Sequence, residues 1–90
     1  MTTGWARTSE GFAANLDGTD AARGMSFPRL ELRSGPAGWE CRCLLPDGTA
    51  VAAQGRHGST SEAKAAIVER ARSVLGPEWA RALKALAPRE

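Results

Sequence analysis

The sequence predicts an α+β domain: a three-stranded antiparallel β-meander packed on one α-helix, with a short C-terminal helix. Three observations carry this. Arg29-Leu30-Glu31-Leu32-Arg33 and Trp39-Glu40-Cys41-Arg42-Cys43-Leu44-Leu45 alternate between polar and apolar residues, the period of a half-buried strand. Pro46-Asp47-Gly48 is a hairpin turn signal. From Ser59 onward the apolar positions recur at helical spacing behind a capping sequence.

Residues 1 to 25 carry few large apolar groups: Trp5, Phe12, Leu16 and Met25. They read either as a weakly ordered N-terminal arm or as a degenerate partial repeat, with Asp17-Gly18 as a turn and Thr19 to Gly24 as one helical turn. Residues 26 to 90 then form a single domain.

Register follows from charge. With Gly35-Pro36-Ala37-Gly38 as a loop, Leu32 faces Cys41 and Leu30 faces Cys43 on one side of the sheet. Arg33 meets Glu40 and Glu31 meets Arg42 on the other, and such pairs each favour the register by roughly 0.2 to 1 kcal/mol. A three-residue Pro46-Asp47-Gly48 loop sets Val51 opposite Cys43, whereas a two-residue loop would turn Val51 to the polar face. The third strand is expected over Thr49–Gln54, and Gly55-Arg56-His57-Gly58 as a connection.

Ser59 or Thr60 caps the helix, with Glu62 reaching back. Ala63, Ala66, Ile67, Ala71, Val74 and Leu75 form its apolar stripe, and the alanines allow a close approach to the sheet. Gly76 and Pro77 end it. A second helix follows from Glu78, with Trp79, Leu83 and Leu86 on one seam and Pro88 at its end. That seam either covers one end of the core or binds a partner. The expected core is Leu30, Leu32, Trp39, Cys41, Cys43, Leu45, Val51, Ile67, Ala71, Val74 and Leu75, with Trp79 and Leu83 nearby.

Composition narrows the function classes. Ninety residues make one small domain with a thin core, so a deep active site has little room. Twelve basic residues against ten acidic ones, net +2, do not make a dedicated nucleic-acid footprint. No apolar run is long enough to span a bilayer. The opening Met-Thr-Thr-Gly-Trp lacks the marks of a secretory signal, and a cytoplasmic location is expected.

Neither catalytic nor metal-ligating residues are expected, and no cofactor. Cys41 and Cys43 point to one strand face, and with His57 they offer only three ligands at a spacing unusual for structural zinc. Inward-facing thiols are core groups rather than nucleophiles. Arg56, His57, Ser59 and Thr60, ahead of the helix, form the one candidate anion site.

Two families share parts of this pattern. The hairpin Gly38–Gly48 and the link Gly55–Ala63 resemble the YegP-like family of small bacterial domains of unknown function, which repeat a unit of strands followed by a helix. Thr8–Phe12 and Ala21–Met25 look like the tail of a degenerate first repeat, which implies a strand and a helical turn there. Trp39-x-x-x-Cys43-x-x-Pro46-Asp47-Gly48 followed by Thr60–Ala63 is similar to the arm-site DNA-binding domain of phage-type integrases. That resemblance implies DNA contact through basic residues of the exposed sheet face.

The expectation is a non-enzymatic interaction module. Its partner is a protein or a second copy, met through the open sheet edges or through Trp79, Leu83 and Leu86. The alternative is weak nucleic-acid binding by Arg29, Arg33, Arg42 and Arg56. A third reading is a mobile-element accessory protein that inhibits a host factor.

Overall fold

The computed structural model describes residues 4–53 and 57–87. Its strands are β1 (Ala6–Arg7), β2 (Gly11–Asn15), β3 (Arg29–Gly35), β4 (Gly38–Leu44) and β5 (Ala50–Ala52). Two helices follow, α1 (Thr60–Val74) and α2 (Ala80–Leu86), with a 3₁₀ turn at Pro77–Trp79 leading into α2. The strands form one antiparallel meander in chain order.

The α+β class is as expected, but the sheet has five strands where three were expected. The two extra strands come from the stretch read as an arm or partial repeat. Phe12 pairs with Leu32 and Ala14 with Leu30, so β2 carries the core face one strand further. Trp5 Nε1 donates to the Leu86 carbonyl at 2.9 Å, which ties the start of the described chain to the end of α2. Lys64 Nζ lies 5.5 Å from the Trp5 ring centroid and 4.9 Å from that of Phe12, within cation–π range of both.

The central hairpin follows the predicted register: Leu30 with Cys43, Glu31 with Arg42, Leu32 with Cys41, Arg33 with Glu40 and Ser34 with Trp39. The ladder runs one pair further, to Gly35 with Gly38, leaving only Pro36 and Ala37 unpaired. Gly38 adopts φ +130°, and a Cβ there would meet the His57 carbonyl oxygen at 2.7 Å. That close approach lets Trp39 and His57 exchange both backbone hydrogen bonds. The β4–β5 turn is the predicted three-residue loop: Val51 pairs with Cys43, and Gly48 has φ +89°. β5 is shorter than Thr49–Gln54, and Gln54 and Gly55 lie outside the described residues.

Ser59 caps α1 by accepting from the Glu62 N–H, while the Glu62 carboxylate accepts from the Gly58 N–H, one residue earlier than in a standard capping box. Helix α1 lies along β3 and β4. Ala63, Ile67, Val68 and Ala71 are buried against Ala14, Leu16, Leu30, Leu32, Cys41 and Cys43, with Leu83 and Leu86 of α2. The alanines at 63 and 71 keep the helix close enough to the sheet for this single layer to exclude water. Val74, Leu75, Trp39, Leu45, Val51 and Trp79 lie at the margin of the core, each only half-buried. Pro88, read as the stop of α2, lies outside the described residues.

A charged sheet face as the candidate interaction site

Strand alternation gives the sheet two unlike faces. One carries Leu30, Leu32, Cys41 and Cys43 under α1. The other carries Ala13, Asn15, Arg29, Glu31, Arg33, Glu40, Arg42, Leu44, Ala50 and Ala52, and no helix among the described residues covers it.

At one end of this second face lies a buried polar cluster. Arg29 is 6% exposed. Its Nη1 donates to Asn15 Oδ1 at 3.0 Å and to the Gly24 carbonyl at 3.1 Å, and its Nε donates to Glu31 Oε2 at 2.9 Å. Asn15 Nδ2 donates to Thr19 Oγ1 and to the same Gly24 carbonyl. The β2–β3 connection therefore folds back over the sheet, and Ala21 and Leu44 are buried with it. Glu31 links this cluster to the open part of the face, since its Oε1 accepts from Arg42 Nε at 2.6 Å. Burial by itself would raise the Glu31 pKa, but hydrogen bonds from Arg42 and Arg29 outweigh it and hold the carboxyl below its ordinary value of 4.5.

At the other end the face opens into a hollow of about 670 Å³. Ala13, Glu31, Arg42 and Ala52 stand side by side across its floor. Thr8 and Glu10 of the β1–β2 turn and Ala37 of the β3–β4 turn border it, both turns lying at the same end of the strands. The hollow exists because two of the four floor positions are alanine. Arg33 and Glu40 complete the charged lining. Arg33 approaches Glu10 at 4.0 Å with both side chains 67% exposed, a contact of little energetic weight.

The residues singled out from sequence fall in different places. Of the four arginines expected to meet nucleic acid, Arg29 is internal and Arg42 is joined to Glu31, while Arg33 is exposed. Arg56 lies outside the described residues. Leu83 and Leu86 are 1% and 2% exposed and Trp79 is half-buried, so the proposed partner-binding seam points into the core. Helix α2 packs against α1, and Trp5 is tied to its end through the Leu86 carbonyl. Of the anion candidates, Ser59 Oγ accepts from the backbone of α1, and the neighbouring Gly58 N–H already meets the Glu62 carboxylate. Thr60 is the first helical residue, and His57 Nε2 is buried with no hydrogen-bond partner among the described residues. Sequence reading did not mark Glu31 as the centre of the charged face, nor Ala13 and Ala52 as its floor.

Searches against family models, curated proteins and solved structures found no match. Among the described residues no group of three or more His, Cys, Asp or Glu side chains is placed to hold a metal ion, and no helix is long and apolar enough to cross a membrane.

Burial pushes the Cys43 thiol up to about 11 and also raises Cys41, where a hydrogen bond from Ala53 gives back part of the shift. Both thiols are protonated at neutral pH and shielded. A thiol-reactive probe at pH 7.5 is expected to leave them unlabelled in the native protein and to label both in urea. Rapid native labelling would contradict their burial.

Glu31 supplies a second prediction. Its folded pKa lies below the ordinary value, so its contribution is complete above about pH 4.5 and is lost as pH falls through the folded value. Urea unfolding at pH 7 is expected to show Glu31→Gln less stable than the unsubstituted chain by about 2 kcal/mol. The difference should shrink steadily below pH 4.5. A difference that does not change with pH would mean that the carboxylate charge is not its source.

Proposed function

We propose that the protein is a non-enzymatic interaction module that binds another protein through the open face of its sheet. The observation that carries this reading is the hollow, bounded by two turns and lined by guanidinium and carboxylate groups of both signs. Mixed charge around small apolar residues suits a protein surface, where complementary charges fix register and small side chains admit a partner's larger ones. An accessory protein that inhibits a host factor is one form of this reading and would use the same face.

Nucleic-acid binding has weaker support. Its cations should be free to release phosphate counterions. Here Arg29 has its donors satisfied internally, and Arg42 is committed to Glu31. A surface with carboxylates among its guanidiniums repels the phosphate backbone as much as it attracts it.

Ala52→Trp fills the hollow at an exposed position and is expected to change stability by no more than about 0.5 kcal/mol. Capture of a specific protein by the unsubstituted chain, lost in Ala52→Trp at an unchanged circular dichroism spectrum, is the expected result. Equal capture by both would contradict the use of this face. Binding to a mixed nucleic-acid pool that falls steeply with salt would favour the other reading.

A further inference from the structure

We draw no further inference here: the strongest candidate, the β5 edge at Ala50–Ala52 with the hollow beside it, carries nothing, because the hollow belongs to the face already described and nothing in the structure shows what covers the edge.

Discussion

A guanidinium held away from water constrains this fold more than any other single group. Burying a charge in so small a domain is tolerable only when its donors are met, and Arg29 meets them with Asn15, Glu31 and the carbonyl of Gly24. To reach that carbonyl the β2–β3 connection has to fold back over the sheet. The loop's own Ala21 is buried there, as is Leu44 on the same face of the sheet. Glu31, held on one side by Arg29, is placed to hold Arg42 on the other.

This arrangement divides the uncovered face into two regions with different roles. Near Arg29 the charges are internal and hold a loop. Toward the β1–β2 and β3–β4 turns the loop is gone, the floor residues are small, and the hollow remains open. Glu31 belongs to both regions. The proposed binding function depends on the first region being rigid, because a floor whose central carboxylate could swing freely would offer a partner no fixed pattern of charge.

Much of the β3–β4–β5–α1 unit was legible in the sequence, because its residues differ strongly from position to position. Glu31 and Arg42, or Arg33 and Glu40, could satisfy each other in only one register, and Pro46-Asp47-Gly48 permits the turn that turns Val51 toward Cys43. The first two strands were not legible in the residues themselves, although the YegP-like resemblance implied one strand in this stretch. Gly11-Phe12-Ala13-Ala14-Asn15 has one large side chain in five, and alanine is equally at home on either face, so no alternation shows. The seam of α2 reads from sequence either as covering the core or as binding a partner, and the structure buries Leu83 and Leu86 in the core. Val68 escaped notice for a related reason: a stripe drawn for a three-stranded sheet is narrower than the one a wider sheet buries. The candidate site was the least legible part. Arg29 looks like any other strand arginine until a loop distant in sequence brings carbonyls to it, and a hollow floored by Ala13 and Ala52 announces itself by missing side chains.

Arg29 is structural, whereas its neighbour Arg33 on the same strand and face is exposed. Urea unfolding of Arg29→Gln and Arg33→Gln under one set of conditions compares the two directly. The prediction is a loss of about 3 kcal/mol for Arg29→Gln, which takes the guanidinium from the buried Asn15 Oδ1 and one of two arginines from Glu31, against less than about 0.5 kcal/mol for Arg33→Gln. Equal, small effects would mean that Arg29 is solvated like Arg33, that the loop is not anchored over the sheet, and that the face is differently built.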